Sequence, residues 1–181
     1  MKRVLLKLSG EALAGDKKTG FDEATVLGIA AQVKELVEEG MQIAVVTGGG
    51  NFWRGRSSRN IDRTKADQIG MLATVMNCIY VSEIFRSQGL KTRVMTPFQC
   101  GDAAQLFSKD AAVGALEEGE VVFLPAVRDI RTFRQIRQRC FARLRSRQIR
   151  FFWRSQSTES MMTIRRIIPT PASMRRFPLT R

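Results

Sequence analysis

With 181 residues and 44% hydrophobic content, the chain can build one domain, or slightly more, around a real core. It contains no histidine, which excludes histidine-based triads, histidine metal sites and histidine general bases. The net charge of +13 would point to nucleic acid if it were evenly spread, but residues 1–123 carry 15 basic and 15 acidic side chains, whereas residues 124–181 carry 15 arginines, no lysine, and only Asp129 and Glu159.

All 14 glycines lie before residue 124, so two compositions meet near Phe123. No apolar stretch reads as a membrane span and no signal peptide opens the chain, so a cytoplasmic location without a membrane partner is expected. Cys78, Cys100 and Cys140 are widely spaced, with neither a metal pattern nor a paired framework. Reduced thiols, and no metal site made by the chain itself, are the expectation.

Arg3 to Leu8 reads as a buried first strand running out into Ser9-Gly10, with Lys7 at its end. Gly15 to Gly20 is polar and glycine-flanked, hence a loop. Asp22 is a good N-cap, and Val26, Ile29, Ala30, Val33 and Val37 recur at helical spacing until Gly40 ends the helix. Met41 to Thr47 is a second strand. It feeds Gly48-Gly49-Gly50-Asn51-Phe52-Trp53-Arg54-Gly55, where bare backbone N–H groups and a planar cation suit an anion such as phosphate. A plain glycine turn is the alternative for this segment alone.

Asp67 to Gln88 is a long helix with Ile69, Leu72, Ala73, Met76, Tyr80, Val81 and Ile84 on its apolar side, ended by Gly89. Lys91 to Met95 is a third strand, stopped by Thr96-Pro97. Ala111 to Glu118 is a short helix, and Val121-Val122-Phe123 begins a fourth strand. Alternating strands and helices predict an α/β fold, a mostly parallel sheet covered on both faces. Ligands of such sheets bind beyond the carboxyl ends of the strands, where Lys7–Gly10 and Gly48–Gly50 both fall. The patterns G-x-x-x-x-G-K-S/T and G-x-G-x-x-G are absent, which excludes an ordinary P-loop kinase and a Rossmann dehydrogenase.

K-L-S-G-E-A-L at Lys7–Leu13, G-G-G-N-F-W-R-G at Gly48–Gly55 and A-D-Q-I-G-M-L-A-T-V-M-N at Ala66–Asn77 occur in one order and spacing. On these motifs residues 1–123 closely resemble the bacterial uridylate (UMP) kinases, of the amino-acid-kinase fold. The resemblance implies a three-layer αβα sandwich, here incomplete on its C-terminal side, and transfer of a phosphoryl group from ATP, with Mg2+, to UMP. It implies that Lys7, Leu8, Ser9 and Gly10 form the ATP phosphate loop and that Gly50 and Arg54 also meet ATP. Lys7 and Arg54 would neutralise the transferring group. Gly49 and Asp67 would meet UMP, although Asp67 could instead cap its helix and Lys7 could be a solvated strand-end charge. Gly15, Asp16, Lys17, Lys18, Thr19 and Gly20 match the segment associated with activation by GTP. A homohexamer with UTP as inhibitor is implied as well.

After Phe123 the resemblance stops in mid-strand. The family continues with a glycine-rich loop that cradles UMP; here the chain reads Leu124-Pro125-Ala126-Val127-Arg128 and turns arginine-rich. A shifted reading frame accounts for this. Taking the third base of each codon with the first two of the next, Leu124 to Arg143 admits A-G-G-T-G-(H/Y)-P-Y-F-S-T-D-T-A-A-L-L-R-A, the missing loop and the helix after it. One step dissents, since Asp129-Ile130 permits His or Tyr where Asn is usual. Residues 124–181 are therefore expected to be an out-of-frame tail without a selected fold, and this product to be truncated or inactive. Two rival readings remain: an arginine-rich RNA-binding protein on a kinase-like scaffold, and a related carbamate or amino-acid kinase. On the frame-shift reading, nucleic acid is not a specific partner.

Overall fold

The computed structural model describes residues 3–53 and 60–126 with their side chains, and residues 149–154 as backbone. In chain order the elements are β1 (Arg3–Leu8), α1 (Gly10–Ala14), a 3-10 turn (Gly15–Lys17), α2 (Glu23–Glu38), β2 (Gln42–Thr47), α3 (Arg63–Ser87), β3 (Thr92–Thr96), β4 (Gln105–Leu106), α4 (Lys109–Glu117), β5 (Val121–Pro125) and β6 (Ile149–Arg154). The strands form one six-stranded sheet in the order β4-β3-β5-β2-β1-β6, and each pairing is parallel.

Strands buried on both faces read as continuous apolar runs, and the two faces separate by alternation. Val4, Leu6 and Leu8 of β1, Ile43 and Val45 of β2, and Val121 and Phe123 of β5 pack under α2 and α3. Leu5, Ala44, Val46, Val122 and Leu124 turn the other way and pack with Met95 against Ala112, Ala115 and Leu116 of α4. The result is helix, sheet, helix: the three-layer α/β sandwich expected. Phe85 of α3 meets Phe123 edge to face, with centroids 5.1 Å apart, which ties the longest helix to the centre of the sheet.

Several elements differ from the sequence expectation. α3 starts at Arg63, because the Asp62 carboxylate accepts from the amides of Thr64 and Lys65 at 3.0 and 3.1 Å. Asp67 therefore lies inside the helix and is not its cap. α1 and β4 were not expected; α1 exists because Ser9 caps it, accepting from the Ala12 amide at 3.1 Å. β5 carries two residues beyond Phe123, and β6 comes from the arginine-rich part and pairs with β1.

α3 also presents two faces rather than one. Ala73, Cys78, Val81 and Phe85 are buried, whereas Ile69, Leu72 and Met76 are exposed. By length and composition alone α3 could cross a membrane, contrary to the expectation that no apolar stretch reads as a span. Its buried face lies on the sheet, as in a core helix of a globular domain.

Candidate active site

The site lies where β1 and β2 end side by side. Leu8 stands opposite Thr47 in the ladder, and the Gly48 amide extends the pairing by donating to the Leu8 carbonyl at 2.9 Å. The chain then leaves both strands at the same height. A Cβ built on Gly10 would lie 2.6 Å from the Gly50 nitrogen and 2.8 Å from that of Asn51, so the two loops touch backbone to backbone. Gly49 is pressed against α3: its Cβ would lie 3.0 Å from both the Ala73 Cβ and the Gly70 carbonyl oxygen.

Gly49 thus serves close approach, whereas a Cβ on Gly48 or Gly50 would make only ordinary contacts, at 3.4 Å and 3.7 Å or beyond. None of Gly48, Gly49 and Gly50 has positive φ, so left-handed backbone is not what requires glycine here. The amides of Gly49 and Gly50 donate no hydrogen bond among the described residues. The Gly49 carbonyl is occupied, accepting from the Phe52 and Trp53 amides at 3.1 Å each.

Lys7, one residue before the end of β1, is half-buried, and burial lowers its pKa from the ordinary 10.5. Partial removal from water strengthens its attraction for an incoming anion. Ser9 and Gly10 stand at the start of α1, and the Ser9 hydroxyl is engaged as its cap. Leu8 is buried in the core under α2 and α3, so only its backbone is available to a ligand.

Asp67 is exposed in the second turn of α3, with Arg63 Nε 3.6 Å from its carboxylate. Trp53 joins this turn to the glycine loop by donating its indole N–H to the Ala66 carbonyl at 3.0 Å. Lys7, Ser9, Gly10, Gly49 and Gly50 are thereby gathered at one sheet edge, with Asp67 held beside them through Trp53. Arg54 lies outside the described residues.

The segment Gly15–Gly20 packs on the same loop. Gly15, Lys18 and Gly20 have φ of 53°, 64° and 71°, and Asp16 to Thr19 are exposed. The Gly20 amide donates to the Asn51 carbonyl at 3.3 Å, and the Asn51 side chain donates back to the Gly20 carbonyl at 2.8 Å. Asn51 and Asn77, 2% and 0% exposed, were not recognised from the sequence as parts of the site. A buried asparagine inside an otherwise apolar helical face was the available signal, since such a group must find partners.

The sequence model of the Amino acid kinase family matches residues 2–136. A uridylate kinase of Bacteroides thetaiotaomicron is 46% identical over 125 residues, covering 68% of this chain and 53% of the relative. The crystal structure of a UMP kinase from Bacillus anthracis superposes with a TM-score of 0.64 at 35% identity, over 68% of this chain and 52% of that one. A UMP kinase from Ureaplasma parvum gives 0.64 at 25% identity, over 68% and 55%. The chain spans about half the length of the relatives it matches.

Proposed function

This chain belongs to the amino acid kinase family, and from that premise we propose that its site is one wall of a centre that transfers a phosphoryl group from ATP to UMP, giving ADP and UDP. The observation that carries this is the contact of the Lys7–Gly10 and Gly48–Gly50 segments, the first of which holds a partly buried lysine. Lys7, Leu8, Ser9 and Gly10, with Gly50 and Arg54, take the ATP phosphates; Gly49 and Asp67 take UMP. The acceptor is a phosphate oxygen already ionised at neutral pH, so no general base is required, in keeping with a chain that has no histidine. Catalysis is then alignment and cancellation of charge by Lys7, Arg54 and backbone N–H groups.

Among the described residues no three or more acidic or cysteine side chains gather to hold a metal. The Mg2+ of this reading is one that would arrive on the nucleotide phosphates and keep much of its water. Bound there it would supply neutralisation of the developing charge.

Activation by GTP through Gly15–Gly20, inhibition by UTP and a cytoplasmic homohexamer complete the reading. Self-association is supported by α3. Its outer face reads Lys65, Ile69, Leu72, Met76, Ile79, Glu83, alternating steps of four and three as in a coiled-coil seam. Ile69, Leu72 and Met76 are 38, 56 and 46% exposed. A second copy laid antiparallel sets Leu72 opposite Met76, Ile69 opposite Ile79, and Lys65 opposite Glu83. A parallel copy would oppose like charges at both ends.

We also propose that residues 124–181 are read out of frame, so that this product lacks the opposite, UMP-binding wall and does not turn over UMP. β6 is compatible with this, because an apolar segment can add to the free edge of β1 through backbone pairing alone. Sequencing the DNA around codons 122–125 and measuring the intact mass of the native protein test the frame; an intact frame overturns it. Restoring the frame and assaying UMP phosphorylation tests the function. A restored chain inactive on UMP but active on a carbamate or amino acid would overturn the substrate.

A further inference from the structure

Asn51 and Asn77 face each other as a reciprocal amide pair. The Asn77 side chain donates to Oδ1 of Asn51 at 2.7 Å, and the Asn51 side chain donates to Oδ1 of Asn77 at 3.2 Å. Each amide has a second N–H, and the two are spent on different loops. Asn77 donates to the Gly48 carbonyl, and Asn51 donates to the Gly20 carbonyl. Both side chains are buried, so every one of these bonds replaces water.

The pair is where four pieces of chain converge. Gly48 and Asn51 belong to the loop after β2, Gly20 to the segment after α1, and Asn77 to the middle of α3. The loop after β1 is there too, since a Cβ on Gly10 would lie 2.4 Å from Oδ1 of Asn51. The aromatic neighbours follow the same path: Phe21 stacks on Tyr80 at 3.7 Å and meets Phe52 edge to face at 5.2 Å. What an amide adds is a fixed distance between two carbonyls on separate loops.

We propose that Asn51 and Asn77 are positioning residues that couple the Gly15–Gly20 segment to the glycine loop. Gly20 cannot shift without pulling Asn51, and Asn51 cannot shift without breaking its amide pair with Asn77, the residue that also holds the Gly48 carbonyl. A ligand that moves the exposed residues Asp16–Thr19 thereby resets the spacing between Gly10 and Gly50. The consequence for catalysis rests on the kinase reading above; the coupling itself does not.

Hydrogen exchange followed by mass spectrometry on the full chain, fused to a solubilising partner, tests it without any activity. In Asn77→Asp both donations from residue 77 are lost at neutral pH. Exchange should rise about tenfold, as expected for loss of roughly one charge-free hydrogen bond's worth of protection, in peptides covering 15–22 and 48–53 together. Peptides covering β3 and β5 should stay at the wild-type rate. On acidification the excess over the wild-type rate at the same pH should shrink as the introduced carboxyl regains a proton it can donate, which a packing role would not do. Gly20→Ala, which meets no neighbouring atom but strains a residue at φ 71°, should speed exchange at 48–53, and should do so less when Asn51→Ala is also present, because only the bond from the Gly20 amide to the residue 51 carbonyl then remains. Response of one loop only, response of the whole sheet, or a Gly20→Ala effect undiminished without the Asn51 side chain overturns the proposal. A kinase assay failing on the frame-restored enzyme leaves these readings untouched, so the two failures are distinct.

Discussion

Gly10 and Asn51 stand so close that no side chain fits between them: a Cβ on Gly10 would lie 2.4 Å from the Asn51 Oδ1. The neighbouring atoms are the backbone of Gly50 and Asn51 and a buried amide, none of which can swing away. Gly10→Ala should therefore destabilise the fold by about 1–3 kcal/mol, the usual range for overpacking. Gly50→Ala meets only Glu11, at 3.7 Å and beyond, and should change stability by less than about 0.5 kcal/mol. Urea unfolding of the two variants separates these outcomes.

Lys7 should trade stability for function. Because burial lowers its pKa from 10.5, the unfolded chain binds this proton more tightly than the folded chain. The penalty is present in full below the folded pKa and is relieved as pH rises from there toward 10.5. Lys7→Met should remove this alkaline gain from the stability profile. In the frame-restored enzyme the same change should lower kcat by about 100- to 1,000-fold, as for loss of one charge-stabilising group. Melting curves against pH and steady-state kinetics check the two halves.

The outer face of α3 predicts a charge-reversal experiment. Leu72→Arg should break the α3 seam and lower the mass of the assembly in light scattering. Lys65→Glu should weaken association, since it opposes Glu83 with a like charge, and adding Glu83→Lys should restore it. Glu83 also bonds Arg86 at 2.6 Å within the helix, so the gain from the interhelical pair should fall near the low end of about 0.2–1 kcal/mol.

Cys78 should be chemically silent. It is fully buried, its thiol contacts the Thr47 hydroxyl at 3.0 Å, and burial pushes its pKa up to about 12. At mildly alkaline pH a thiol reagent should label Cys78 only at the rate of unfolding, while Cys100, which is partly exposed, should react directly. Rapid labelling of Cys78 in the folded chain would show that α3 does not rest on β2 as described.

The order of strands and helices, the two strand-end loops and the glycines at their contact were legible in the residues alone. Alternation and helical spacing report which side chains avoid water, and a glycine directly after a buried strand reports backbone that must come close to something. The tertiary structure decided what each apolar or polar group faces. Ile69, Leu72 and Met76 looked like core and are exposed, because Ala73, Cys78, Val81 and Phe85 already fill the face of α3 that the sheet can cover. Asn77, a polar residue outside the apolar series of its helix, is fully buried, because the Gly48 carbonyl and the Asn51 amide replace the water it gives up. β6 could not be read from its arginine-rich surroundings, since pairing with β1 is made by backbone groups that every residue but proline carries. Periodicity describes one chain segment against water; only the packed structure sets one segment against another.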